Sequence, residues 1–114
     1  MTQGCLFCKI AAGEIPAQLV FEDDRCVAFR DIHPQAPVHL LVIPREHIAS
    51  HAHTLAEHTP LLGHMMAVVG DLARSQTLHN GYRLVVNTGR DGGQTVEHMH
   101  IHLLGGRAMG WPPG

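Results

Sequence analysis

The stretch from Asp91 to Leu104 restricts the fold of this chain more than any other, because His98, His100 and His102 stand at alternate positions between Met99, Ile101 and Leu103. In a strand, alternate side chains share a face and sit about 6–7 Å apart. The three imidazoles would therefore line one face, while the apolar face pressed into a core. A helix would scatter the same rings around its axis. The pattern predicts a strand over residues 98–104, with Asn87 to Thr95 as the loop leading into it.

Eleven histidines in 114 residues would produce such a run by chance in roughly one chain in ten, so its surroundings have to carry the reading. Immediately upstream are Gly92 and Gly93, whose backbone N–H groups can approach an anion without interference from a Cβ, and Gln94 and Thr95, which add side-chain donors. Anion-binding donors running into imidazoles suit phosphoryl transfer. A neutral imidazole attacks phosphorus near pH 7, and a second ring can protonate the departing group.

With 114 residues the chain is expected to form one domain, spanning 1–114, with a modest core that oligomerisation would help to stabilise. A formal net charge of −2 and the lack of a basic run argue against nucleic acid as a partner. No apolar stretch approaches membrane-spanning length and no leader pattern stands at the N-terminus, so a cytoplasmic protein without membrane contact is expected. Three cysteines, Cys5, Cys8 and Cys26, do not suggest a disulfide framework.

Cys5 to Ala12 suits a short helix closed by Gly13 and Ile15-Pro16. Gln18–Phe21 and Cys26–Phe29 read as a hairpin around a polar turn, and Val38–Ile43 as a third strand ended by Pro44. Thr59-Pro60 reads as the N-cap and first position of the principal helix, whose apolar stripe runs through Leu61, Met65, Val69 and Leu72 and which Asn80-Gly81 would stop. Tyr82–Val86 completes the set as the fourth strand. The order of elements indicates α+β, a five-stranded and mainly antiparallel sheet with one long and one short helix.

His98-Met99-His100-Ile101-His102-Leu103-Leu104 resembles the histidine triad motif, H-φ-H-φ-H-φ-φ with φ apolar. Asp31 to His39, Asn87, Gly92-Gly93-Gln94-Thr95 and the ending Gly105-Gly106-Arg107 to Trp111-Pro112-Pro113-Gly114 extend the likeness to the nucleotide-binding (HINT) branch of that family, from about Cys5 onward. The resemblance implies the HIT-like fold and a nucleotidyl-histidine intermediate on His100. It further implies that His102 contacts the phosphate and assists the leaving group, and that His98 and His39 hold tautomer and orientation. Asp31 would bind the ribose hydroxyls. Phe7, Phe29, Ile32 and Leu41 would form the base pocket, and Asn87, Gly93, Gln94, Thr95 and Val96 would complete the nucleotide site. Thr95 stands where the family often has serine.

In many members a cysteine pair binds zinc with two histidines, and the matching set here is Cys5, Cys8, His47 and His98. Such a zinc would be structural, because protein fills all four positions. The alternative is a pair of reduced, partly buried thiols. No organic cofactor is implied. By resemblance the activity is hydrolysis of purine nucleoside 5′-phosphoramidates to a nucleoside monophosphate and an amine, by a homodimer. The alternatives are a dinucleoside polyphosphate hydrolase and a nucleotide- or zinc-binding interaction module whose turnover is incidental.

Overall fold

Val38 to Pro44 is the most apolar run of the chain and becomes the middle strand of the sheet, with Leu40, Leu41, Val42 and Ile43 all buried. A strand that is apolar at consecutive positions needs cover on both faces, and two helices provide it. The computed structural model describes residues 4–114, which form α1 (Leu6–Ala11), β1 (Leu19–Glu22), β2 (Cys26–Arg30), β3 (Val38–Pro44), α2 (Thr59–Ser75), β4 (Tyr82–Val85) and β5 (Ile101–Gly105). Two 3-10 turns, His51–His53 and Ala56–His58, precede α2. The strands form one sheet in the order β1-β2-β3-β5-β4, with every neighbouring pair antiparallel. The expected α+β architecture is observed.

The face under α2 holds the larger core. There Leu40 and Val42 of β3 and Leu103 of β5 meet Met65, Val69 and Leu72 of the helix. The opposite face holds a smaller cluster, in which Phe7 and Ile10 of α1 cover Val27, Phe29, Leu41 and Ile43. Because α1 is only 6 residues long, it covers part of that face and leaves the rest open beside β5. No helix among the described residues is long and apolar enough to cross a membrane.

Most element ends lie within one residue of expectation, and three boundaries differ for reasons the structure supplies. Thr59 lies inside α2 and His58 is the N-cap, because the 3-10 turn runs directly into the helix and the Thr59 hydroxyl donates to the Ala56 carbonyl at 2.8 Å. The helix stops at Ser75, well before Asn80-Gly81. Thr77 adopts φ +55 there, and Leu78 N–H returns to the Ala73 carbonyl at 3.1 Å, closing a Schellman-type end that satisfies a terminal carbonyl. A threonine in that conformation carries none of the sequence signal of a C-terminal glycine. The third difference, at the start of β5, lies in the site.

Candidate active site

Met99, Ile101 and Leu103 all enter the core under α2, so the alternation of faces holds from residue 98 to 103. The hydrogen-bond ladder does not extend as far. Pairing of β3 with β5 ends at Val42↔Ile101, and β5 begins at Ile101 where the pattern predicts 98. Upstream of that point the Met99 N–H turns to the Ile48 carbonyl at 2.7 Å, and the ring Nε2 of His98 donates to the Pro44 carbonyl at 2.8 Å. Pro44 still pairs with Cys26 of β2, but on the β5 side its carbonyl takes a side-chain donor, His98, in place of a ladder N–H. Only His102 sits in regular strand, opposite Leu41.

The carbonyl acceptors determine the ring tautomers. His98 accepts at its own carbonyl from Nδ1 of His100, 2.7 Å away. This leaves Nε2 of His100 as the lone-pair nitrogen. The Gln35 N–H donates to Nδ1 of His39 at 3.0 Å, and Nε2 of His39 stands 2.8 Å from Nδ1 of His102. A backbone N–H can only donate, so neutral His39 carries its proton on Nε2 and passes it as a hydrogen bond to His102. His102 then carries its own proton on Nε2. Asp31 Oδ2 lies 3.5 Å from the same His39 nitrogen.

Burial favours the neutral rings. It pushes His39 below the ordinary imidazole value against the opposing carboxylate of Asp31. Burial, with the neighbouring His100 and His39 rings, holds His102 at about 4. In this tautomer arrangement the neutral rings present a lone pair on His100 and an N–H on His102, with ring centroids 5.0 Å apart.

Both rings line a cavity of about 330 Å³ between α1 and the sheet. Phe7, Phe29, Leu41 and Ile32 form apolar wall, while Asp31, Thr95 and Val96 stand at its edge. Phe7 meets Phe29 edge-on at 5.5 Å and His100 at 5.1 Å between ring centroids. Ile15, Pro16 and Ala17 also line the cavity and are absent from the expected set. An apolar run held extended by its proline is the signal that would have found them. His33, whose N–H donates to Asp31 Oδ1 at 2.8 Å, joins the rim.

The loop before the triad is built differently from expectation. Asn87 Nδ2 donates to the Gly92 carbonyl at 2.8 Å, and Gln94 Nε2 donates to the carbonyls of Ala49 at 2.8 Å and Val96 at 2.9 Å. The N–H groups of Gly93 and Gln94 bond to the carbonyls of Arg90 and Gly89. These donors hold the loop in shape, and Thr95 and Val96 are its residues that line the cavity. Gly92 is required because a Cβ would lie 2.3 Å from the Thr88 carbonyl oxygen, and Gly93 because its φ is +78. A larger cleft of about 820 Å³ shares Leu6, Thr95 and Val96 with the first, but no second- or third-triad histidine lines it.

Cys5, Cys8, His47 and His98 converge as expected, with all four ligand atoms within 4.8 Å of one another. Cys5 Sγ is 3.3 Å and Cys8 Sγ 3.4 Å from Nδ1 of His98, and Cys8 Sγ is 3.3 Å from Nδ1 of His47. A tetrahedral zinc with ordinary bond lengths separates sulfur from nitrogen ligands by about 3.6 Å, so the set fits the ion. The bond from His98 Nε2 to Pro44 turns the Nδ1 lone pair toward the sulfurs, as a metal ligand requires. Burial and the neighbouring Cys5 push the Cys8 thiol up to about 11 in the absence of metal.

Three of the remaining histidines serve local structure. His58 bridges the Leu55 N–H and Glu46, His64 bonds Asp23 Oδ2 at 2.6 Å, and His53 bonds Ser50 Oγ at 2.6 Å. Asp23, Cys26 and His64 also bring their polar atoms together. Cys26 is fully buried there.

Comparison with known proteins agrees with this geometry. A family model described as scavenger mRNA decapping enzyme C-term binding matches residues 4–110. An uncharacterised HIT-like protein of Synechococcus elongatus is 56% identical over 114 residues, covering 100% of both chains. The crystal structure of a HIT family hydrolase from Legionella pneumophila superposes with a TM-score of 0.96 at 54% identity, covering 97% of this chain and 100% of that one. A histidine triad nucleotide-binding protein from Candida albicans gives 0.82 at 34% identity over 96% and 83% of the two chains. A zinc-bound histidine triad family protein from Mycobacterium smegmatis gives 0.83 at 33% identity over 94% and 78%.

Proposed function

Because the chain belongs to the histidine triad (HIT) family, we propose that it is a HINT-branch hydrolase cleaving the P–N bond of purine nucleoside 5′-phosphoramidates. The observation that carries this reading is the pair of complementary nitrogens in one cavity, a lone pair on His100 and an N–H on His102. His100 Nε2 attacks the α-phosphorus and the P–N bond breaks while the His102 N–H donates to the departing nitrogen and assists transfer of a proton from solvent water, so that it leaves as the neutral amine. Water then hydrolyses the nucleotidyl-histidine, releasing nucleoside monophosphate. His39 and His98 orient the two reacting rings. Asp31 receives the ribose hydroxyls, and the base lies among Phe7, Phe29, Ile32 and Leu41. Thr95 and Val96 meet the phosphate, and Asn87, Gly93 and Gln94 hold that loop in register.

Cys5, Cys8, His47 and His98 would hold a structural zinc, supported by their donor set and spacing and by the zinc-bound relative. It would tie α1, a wall of the base pocket, to the segment carrying His100. The 114 residues act as one domain and pair as a cytoplasmic homodimer. β4 is a sheet edge with Tyr82 and Val86 exposed near it, and Met66 is exposed on α2, which suits an isologous interface.

The test is a kcat/KM comparison of adenosine and guanosine 5′-phosphoramidates of alkylamines with diadenosine polyphosphates. Preferential release of amine and nucleoside monophosphate is expected. Faster cleavage of the dinucleotides, or no turnover of either class, would overturn the assignment.

A further inference from the structure

Arg107 lies two residues past the end of β5, the strand that carries His102. Its Nε and Nη2 donate to the Gln35 carbonyl at 3.1 and 3.0 Å. Gln35 is also held by its own side chain, whose Nε2 donates to the His33 carbonyl at 3.0 Å. The N–H of the same residue is the donor to Nδ1 of His39. A closed circuit results: from β5 through Arg107 to Gln35, from Gln35 to His39, and from His39 back to β5 at His102.

The circuit matters because His39 and His102 have two self-consistent tautomer pairs. In one, the proton between the rings belongs to His39 Nε2 and the outer nitrogen of His102 carries an N–H that can donate to a leaving group. In the other, both rings are reversed, and the outer nitrogen of His102 is a bare lone pair that cannot protonate a leaving group. The Gln35 N–H excludes the second pair, since Nδ1 of His39 cannot be both protonated and an acceptor. Asp31 Oδ2, at 3.5 Å from His39 Nε2, biases the rings the same way from a longer distance.

We propose that Arg107 is a positioning residue for departure of the leaving group: by clamping the Gln35 carbonyl with two N–H groups it keeps the Gln35 N–H on His39, and so keeps the His102 N–H on the nitrogen that faces the cavity, where it donates to the departing nitrogen. This rests on the phosphoramidate reading for the identity of the leaving group, but the tautomer assignment is independent of it. Lysine cannot reproduce the fork, because a single ammonium has no paired planar donors.

Two measurements test the proposal. In the first, Arg107→Met and Arg107→Lys are compared with the unaltered protein on an alkylamine phosphoramidate of AMP and on the 4-nitrophenyl ester of AMP, whose leaving group departs without a proton. Arg107→Met should lower kcat on the amide roughly 10-fold, with KM little changed and the ester unaffected, and Arg107→Lys should fall between. Equal losses on both substrates, or none on either, would overturn it. The second is long-range 1H–15N spectroscopy of 15N-histidine-labelled protein, which reads tautomers without any substrate. His39 and His102 should both be protonated at Nε2, and Arg107→Met should show mixed tautomers for both. A His39 protonated at Nδ1 in the unaltered protein, or unchanged tautomers in Arg107→Met, would overturn the proposal. Absence of turnover by the unaltered protein on either substrate would instead count against the phosphoramidate reading, and the spectra would then decide the role of Arg107 alone.

Discussion

The carbonyl oxygen of His98 accepts a hydrogen bond from Nδ1 of His100 at 2.7 Å, so a residue whose ring faces two cysteines also sets the tautomer of the ring that faces the cavity. Loss of His100 should therefore leave the cavity intact while removing its lone pair. His100→Ala is expected to retain AMP binding by calorimetry and to lose at least about 4 kcal/mol of transition-state stabilisation, three orders of magnitude in kcat/KM. Near-normal turnover, or a quenched reaction in which the nucleotide adduct sits on another residue, would contradict the role.

The four-ligand cluster predicts one zinc per chain in protein purified without chelator. Chelation, or Cys8→Ser, should lower the melting temperature by several degrees, since metal binding is coupled to the folded arrangement of its ligands. Elemental analysis giving less than about 0.1 zinc per chain after supplementation would mean that Cys5 and Cys8 are ordinary thiols.

Stability should fall as pH drops below neutrality. Burial lowers His39, His98 and His102, with His102 reaching about 4 against 6.5 for a free imidazole. Between those values the unfolded chain binds protons that the folded one refuses, so unfolding becomes easier as pH falls from about 6.5 towards about 4. Thermal melts across that window should show the decline, and His102→Asn should flatten it. An unchanged slope in that variant would assign the decline to other groups.

Asp23 extends the decline to lower pH. Burial alone would raise its carboxyl, but the N–H groups of Arg25 and Cys26 and the His64 ring outweigh it and hold it at about 2, from 3.8. Its contribution is present above the ordinary carboxylate value and is lost between about 4 and 2. Because it joins the β1–β2 turn to α2 and neither lines the cavity nor belongs to the four-ligand cluster, Asp23→Ala should cost about 2 kcal/mol in denaturant unfolding and leave kcat unchanged. A comparable loss of kcat in still-folded protein would show that the turn reaches the site.

The fold class and the faces of the triad segment were legible from residue order, because burial of Met99, Ile101 and Leu103 depends only on alternation. The apolar run of β3 was legible as a strand, but its cover by α2 on one face and α1 on the other came from the tertiary structure. Local chemistry could not reveal where regular structure stops. β5 begins at Ile101 because the Met99 N–H before it goes to the Ile48 carbonyl and not to β3, and α2 ends where Thr77 enters a left-handed conformation. Both outcomes depend on what the neighbouring chain offers as an acceptor.

The site divides along the same line. Residue types and spacing nominated His98, His100, His102 and Thr95, and the resemblance to the histidine triad family added Asp31 and the ligand set Cys5, Cys8, His47 and His98. Tertiary structure alone decided that Gln94 spends its amide on Ala49 and Val96, that Ile15 to Ala17 wall the cavity, and that Gln35 and Arg107 stand behind His39. A hydrogen bond between residues 72 positions apart leaves no local pattern, because its partners are brought together only when the sheet has paired and the loop between β2 and β3 has closed over its edge.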